Sequence, residues 1–445
     1  MTFRDSVSFN RASALAVAAL SWGLLARFHP PIAHGFELAG TDYRMLLVGD
    51  LPTVPSAPGM PVAALTPISS ALTFTVSPVG NLADMADGNQ GIAAQWMANE
   101  VLQGFSSAAD RWRAQFRDAI NVNIRADFGP LGDGVLGGAG SATGVLSYPE
   151  VMAALATDAS PHSTSDAIAI AIASFQPGPT LDFITNDTTV QGSAPRVRDT
   201  DGSDNNAFLE INLANARALG TFAANDATVD AVITFTDFSD HAIPRSWDFD
   251  THDGLTSGSF DFVAAAAHEL AHALGFISGV DDVDLFADPS GPGLPALPPN
   301  TDLNAFILFR PLDLYRYTDD SLSQPNQPTG GLNDFAISQP TALDRPFFSI
   351  DGGVTEKATF STGAFNGDGR QASHWQANSG FGLMSPTLAA GVIGTISILD
   401  VQALDVIGYN PVPEPSSFLI ALLGVGYFNG NRSRAPTHTQ PHGKN

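Results

Sequence analysis

His268 and His272 stand four residues apart with Glu269 beside the first, in the run His268-Glu269-Leu270-Ala271-His272 that continues as Ala273-Leu274-Gly275-Phe276. On a helix, residues four apart share a face, so this spacing presents two imidazole nitrogens to one metal ion. Glu269 then sits where its carboxylate reaches a water on that ion. A bound Zn²⁺ lowers the pKa of its water to about 7, and a neighbouring carboxylate takes the proton as the oxygen attacks a carbonyl. The chemistry this pattern supplies is metal-assisted hydrolysis.

The pattern works only on a helix, and its surroundings provide one. Phe262 to Ala267 is Ala-rich and free of Gly and Pro, which predicts helix through to Leu274. Gly275 is suited to the left-handed conformation that ends a helix. Ser259 and Asp261 are both candidates for its N-cap.

Two histidines do not complete a catalytic zinc site, which takes three protein ligands and leaves a position open for water. The compact spacing H-E-x-x-H-x-x-G-x-x-H puts a third histidine at position 278, where Ser278 stands. Downstream of His272 there remain only His374, His438 and His442; upstream, His162, His241 and His252 are open. Asp281, Asp282 and Asp284 follow the helix closely as acidic alternatives. His374 has a context of its own: Trp375 follows it, and Met384 comes ten positions later within Leu383-Met384-Ser385-Pro386. Ser397-Ile398-Leu399-Asp400 then has capping-box spacing, with Asp in the usual Glu place, ahead of a helical run from Val401 to Ile407 closed by Gly408.

The chain has 445 residues, enough for two or three average domains or for one large catalytic domain with insertions. With 42 Gly and 31 Pro it should be rich in loops. A net charge of −25 repels phosphate backbones and excludes nucleic acid as the expected partner. Such acidity suits a soluble exported protein and allows structural Ca²⁺. Cysteine is absent, so neither disulfides nor a thiol nucleophile enter the account. Arg4 and Arg11 precede an apolar run from Ala12 to Ala26 of the length of a secretory signal core, giving a signal peptide over 1–35.

Between the ends there is no internal repeat. A Pro- and Ala-rich stretch, a lead-in or pro-segment, occupies 36–90. Phe105, Ala109, Trp112 and Phe116 then form an apolar stripe on one helix. Ile120, Val122 and Ile124 alternate with Asn121, Asn123 and Arg125, the pattern of a half-buried strand. Ala231 to Phe235 is a second strand, and its position suggests a sheet edge on which a peptide could pair. From Val280 to about Arg370 the chain is loop-like, with a Pro-rich stretch from Pro289 to Pro299, and is expected to be an insertion within a catalytic domain spanning 91–410. Asp199 to Asp204 lacks EF-hand spacing and is expected to be a solvated acidic loop. Gly-rich Leu136 to Gly144 has neither a P-loop lysine nor a dinucleotide fingerprint and is assigned no phosphate. This order of elements is α+β.

Two resemblances extend these readings. The sequence Pro413-Glu414-Pro415, the apolar stretch Ser416 to Phe428, and Arg432 with Arg434 together resemble the PEP-CTERM sorting signal, which implies handling by a membrane-embedded exosortase. The signal would occupy 411–434, with a tail at 435–445. The H-E-x-x-H-x-x-G run, a separated His374, Met384 and the following helix resemble the leishmanolysin-like metzincin proteases, in bacterial secreted form. That resemblance covers 262–276 and 372–409. It implies a zincin catalytic domain in which a twisted mixed sheet packs on the metal-binding helix, with a long loop insertion before the third ligand. It also implies His268, His272 and His374 as zinc ligands, Glu269 as general base, and Met384 as the apolar support beneath the metal. Leishmanolysins are cysteine-rich, and a cysteine-held latency cannot operate here. The expected function is an exported endopeptidase of the cell envelope or exterior, acting on protein or peptide. A zinc hydrolase of non-peptide amides or esters is one alternative. A non-catalytic surface or matrix protein on a zincin scaffold is the other, and Glu269 argues against it, because an inert scaffold needs no base at that position.

Overall fold

Asp261, rather than Ser259, starts the helix that carries His268: its side chain accepts from Ala264 N at 2.9 Å. That helix, α2 (Phe262–Leu274), ends at Gly275 with φ 118°, as its sequence predicts. Every one of its thirteen residues is buried. A helix buried on every face must be enclosed on all sides, so α2 lies at the centre of the packing.

The computed structural model describes residues 72–159, 166–186, 196–287, 304, 307–323, 331–337 and 345–412, together with the backbone of strands at 33–34 and 42–48. The expected signal core and residues 413–434 of the PEP-CTERM-like segment lie outside the described residues. Among the described residues the architecture is mixed α/β: one seven-stranded sheet and four sheets of two or three short strands, compatible with an α+β class. In chain order the large sheet contains β1 (Ala33–His34), β2 (Asp42–Val48), β3 (Thr73–Pro78), β4 (Asn121–Gly129), β5 (Val135–Ser141), β6 (Ala231–Thr236) and β7 (Thr387–Ala389). Its spatial order is β1-β2-β5-β6-β4-β3, with β7 also pairing β2. Strand β5 runs antiparallel to β6, whereas β4 is parallel to both β6 and β3.

Strand β4 alternates buried and half-buried residues as its sequence pattern predicts. The 231–236 strand is real but not an edge: β5 flanks it on one side and β4 on the other. The Gly-rich stretch assigned no phosphate forms most of β5, which packs on α2. Gly137 is required there. A Cβ on Gly137 would come 2.6 Å from the Phe235 ring and 3.4 Å from Glu269 Oε1. Part of the expected lead-in is also integral, because β3 and the helix Gly80–Ala86 both pack on β4.

Helix α1 (Ile92–Arg113) buries the predicted stripe of Phe105, Ala109 and Trp112; Phe116 falls beyond its end but is buried too. It packs on α2, and Trp112 Nε1 donates to Ala267 O at 2.7 Å. The segment from 280 onward is more structured than its composition suggests. It holds α3 (Val280–Ala287), a 3₁₀ turn at Pro311–Tyr315 and several two-residue strands. Helix α4 (Ile398–Asp405) carries the predicted capping box: Asp400 N donates to Ser397 Oγ at 3.1 Å and Ser397 N to Asp400 Oδ2 at 2.7 Å. The expected solvated loop at 199–204 is exposed at Asp201 and Gly202, but Asp199 is buried and accepts from Asn205.

Gly104 marks the closest approach of α1 to α2, for a Cβ there would stand 2.4 Å from the Phe262 ring. Alanine is the better helix former by about 1 kcal/mol, whereas overpacking a tight core costs about 1–3 kcal/mol. Gly104→Ala should therefore lower the thermal midpoint, and calorimetry of the two proteins would show an unchanged or raised midpoint if the approach were loose.

Candidate metal centre

His268 and His272 lie on one face of α2, and the chain returns more than a hundred residues later to bring His374 against them. The three Nε2 atoms are 3.0 Å (His268–His272), 3.2 Å (His268–His374) and 3.2 Å (His272–His374) apart. Three nitrogens bound at about 2.05 Å to one tetrahedral ion lie about 3.3 Å apart, so the ring atoms already have nearly that spacing. The triad can hold a metal ion. Among the described residues it is the only group of three or more His, Asp or Glu side chains close enough to do so, so the acidity of the chain yields no comparable calcium site there.

The opposite ring nitrogens fix the tautomers. Each Nδ1 donates to a main-chain carbonyl: His268 to Leu383 O at 2.8 Å, His272 to Phe276 O at 2.7 Å, and His374 to Gln371 O at 3.3 Å. A neutral ring that donates from Nδ1 has only a lone pair at Nε2. Burial keeps the rings neutral. It pushes the His268 and His374 pKa values well below the usual 6.5, helped by the neighbouring imidazoles, and it lowers His272 to about 4. Three acceptor lone pairs therefore face one another in a space that calls for a cation.

The carbonyl partners depend on backbone turns. Gly275, in its left-handed conformation, swings Phe276 O back onto His272. The other exposed carbonyls of the α2 terminus are satisfied by Asn212 Nδ2, at 2.8 Å to His272 O and 3.2 Å to Ala273 O, and by Tyr409 OH at 2.8 Å to Leu274 O. Sequence spacing gives no sign of either residue, since both arrive through tertiary packing. Met384 is fully buried in a turn whose preceding carbonyl, Leu383 O, holds His268. Asp400 ties that turn to the third ligand: it accepts from Leu383 N (2.7 Å), Met384 N (3.2 Å) and Trp375 Nε1 (2.8 Å). Trp375 N in turn donates to Met384 O at 2.9 Å.

Glu269 is wholly buried, and among the described residues neither carboxylate oxygen has a hydrogen-bond partner. Burial raises its pKa well above the usual carboxylate range. Buried carboxyl groups are rarely left this way, because an unmet acceptor costs about 1–3 kcal/mol.

The rival ligands fall elsewhere. His241 pairs with Asp240 and His252 with Asp250, His252 being highly exposed, and His162 lies outside the described residues. Asp282 pairs with Arg310, and Asp281 and Asp284 bind main-chain N–H groups instead of reaching the triad. Ser278, where the compact spacing would put a histidine, donates its N–H to Ser373 Oγ at 2.8 Å. The third ligand thus arrives beside the position the compact motif would use, by a longer route.

No known protein family, curated protein or solved structure matches the chain, so the centre rests on its own geometry.

Because the rings resist protonation, the ligand-ready form persists below pH 6.5. Three exposed histidines would each lose about tenfold in metal affinity between pH 7.5 and 5.5, about a thousandfold together. Chelator competition should instead show a change of about tenfold or less over that interval. A thousandfold decline would mean that the rings titrate as if solvated.

Proposed function

We propose that this protein is an exported, zinc-dependent endopeptidase of metzincin type, similar to the leishmanolysin-like proteases. The observation that carries the reading is the buried Glu269 carboxylate without partners, next in sequence to one of three inward-facing imidazoles. Three neutral histidines with a fourth position left over are the ligand set of catalytic zinc, and the donor set here fits it. When bound there, Zn²⁺ polarises a carbonyl oxygen and makes water acidic near neutral pH.

The chain's own residues supply the rest. Glu269 takes the proton of the attacking water and hands it to the leaving amine nitrogen. Burial raises its pKa well above the usual carboxylate range, which favours holding the proton that it takes from water. The Nδ1 bonds hold the three rings in the tautomer that binds metal. The sheet resting on α2 and the Met384 turn against His268 support the zincin arrangement. The N-terminal apolar run and the Pro413-Glu414-Pro415 segment support export and handling by an exosortase.

None of the four side chains is more than 1% exposed, so cleavage requires the cover of the site to open. Strand β2 is paired on one side with β5, beside Glu269, and on the other with β7, after the Met384 turn. Its displacement frees an edge of β5 on which an extended peptide can pair.

Glu269→Gln should retain zinc and lose about 10²–10⁴-fold in cleavage of casein, since that is the range general acid–base groups contribute. Undiminished turnover in that variant, or turnover untouched by a chelator, would remove the proposed chemistry. Limited proteolysis that trims the chain ahead of residue 72 should raise the activity of the zinc-loaded protein. Activity lost in step with such trimming would make β2 a structural strand only.

A further inference from the structure

Asp281 and Asp284 are three apart on α3 and so share a face. Asp281 Oδ1 accepts from Ala372 N at 2.6 Å; its Oδ2 accepts from Ser373 N at 3.1 Å and from the Ser373 hydroxyl. Asp284 Oδ2 accepts from Phe365 N at 2.8 Å, and its Oδ1 from Asn366 N at 2.8 Å and Asn366 Nδ2 at 3.0 Å. The chain doubles back around the first anchorage, with Gly363 N donating to Arg370 O at 2.9 Å and Arg370 N to Gly363 O at 3.2 Å. The next residue after Ser373 is His374.

We propose that Asp281 and Asp284 are positioning residues that deliver the third imidazole to the metal centre, a role that rests on the metal-centre reading above. A ligand separated from its partners by about a hundred residues arrives with the conformational freedom of the whole intervening loop. Four main-chain N–H groups from 365–373, bound to two carboxylates, remove that freedom before metal arrives. A short aspartate side chain carries two acceptor oxygens and reaches adjacent N–H groups as a pair. Asp400 holds the other side of His374 through Trp375, so the imidazole is bracketed front and back. Helix α3 follows α2 after five residues, which explains why the rack is in register with the first two ligands: both are fixed by the same turn at Gly275 to Gly279.

The test measures Zn²⁺ affinity of the full chain by competition with a chromophoric chelator, at temperatures where circular dichroism shows each variant folded, together with the visible spectrum of the Co²⁺ form. Asp281→Ala and Asp284→Ala should each weaken Zn²⁺ about 10–100-fold, the usual effect of losing a group that orients a ligand. Both should also alter the Co²⁺ spectrum away from the four-coordinate form. Asp281→Asn keeps one acceptor and should fall between Asp281→Ala and the unmodified chain, and with Asp284→Ala it carries the test if Asp281→Ala does not fold. His374→Ala is the reference. If it loses Zn²⁺ while the aspartate variants bind as tightly as the unmodified chain with an unchanged Co²⁺ spectrum, the positioning role is wrong. If His374→Ala itself binds as before, the metal-centre reading fails and the proposal with it.

Discussion

Three nitrogen lone pairs held within 3.2 Å of one another in a solvent-free interior are the constraint on which the rest of the structure depends. Nothing about that cluster is stable by itself, since the atoms repel and water is excluded. It persists because each ring is held from behind, and in all three cases the holder is a main-chain carbonyl rather than a carboxylate. A carbonyl fixes the tautomer without adding charge, so the three rings present only neutral nitrogens to a cation. The geometry of the centre is thereby delegated to the backbone path through Phe276, Gln371 and Leu383. That path is set in turn by Gly275, by the rack on α3 and by Asp400.

Glu269 shows the same economy in reverse. A carboxyl group without partners destabilises the fold, and a core evolved for stability alone would give it a donor or replace it. Gly137 of β5 lies against it, where a Cβ would stand 3.4 Å from Glu269 Oε1. The sheet contributes space there, and the space is kept open by the absence of a Cβ. The role of Gly137 is therefore geometric, a matter of the room its missing Cβ leaves.

What could be read from the sequence was what depends on local periodicity. Helix α2 was legible to its end because Ala-rich propensity, the His spacing and Gly275 all concern neighbours within one or two turns. The capping box at Ser397 and Asp400 and the alternation in β4 were legible for the same reason. The choice of Asp261 over Ser259 was not, because both have suitable side chains and only the incoming backbone direction separates them. Strand 231–236 could be recognised but not placed, since its neighbour β5 reads as a glycine-rich loop until it is paired. The segment from 280 to 370 looked structureless because its order is tertiary: Asp281 and Asp284 make their bonds to residues some eighty to ninety positions away, and no spacing rule records such a bond. Asp281 was legible as an acidic group near the metal, but a reading limited to ligand chemistry assigns it to the ion and misses the loop.

The acidity of the chain acquires a different meaning in this light. Of its 45 acidic residues, 38 are aspartates, in a chain with no cysteine, 42 glycines and 31 prolines. Loops of that composition carry main-chain N–H groups that a sheet or helix would otherwise satisfy, and buried N–H groups must be satisfied somehow. Aspartate does this repeatedly here. Asp281, Asp284, Asp313, Asp368 and Asp400 each accept from two or more backbone N–H groups and hold together segments distant in sequence or turns within the loops themselves. These five carboxylates thus act as internal staples, in the place that disulfides take in many loop-rich proteins. Burial exacts a corresponding shift, pushing Asp281 up to about 7. A chain stapled by carboxylates is sensitive to what happens to its aspartates in a way that a disulfide-stapled one is not, and the metal centre stands at the end of the longest of those staples.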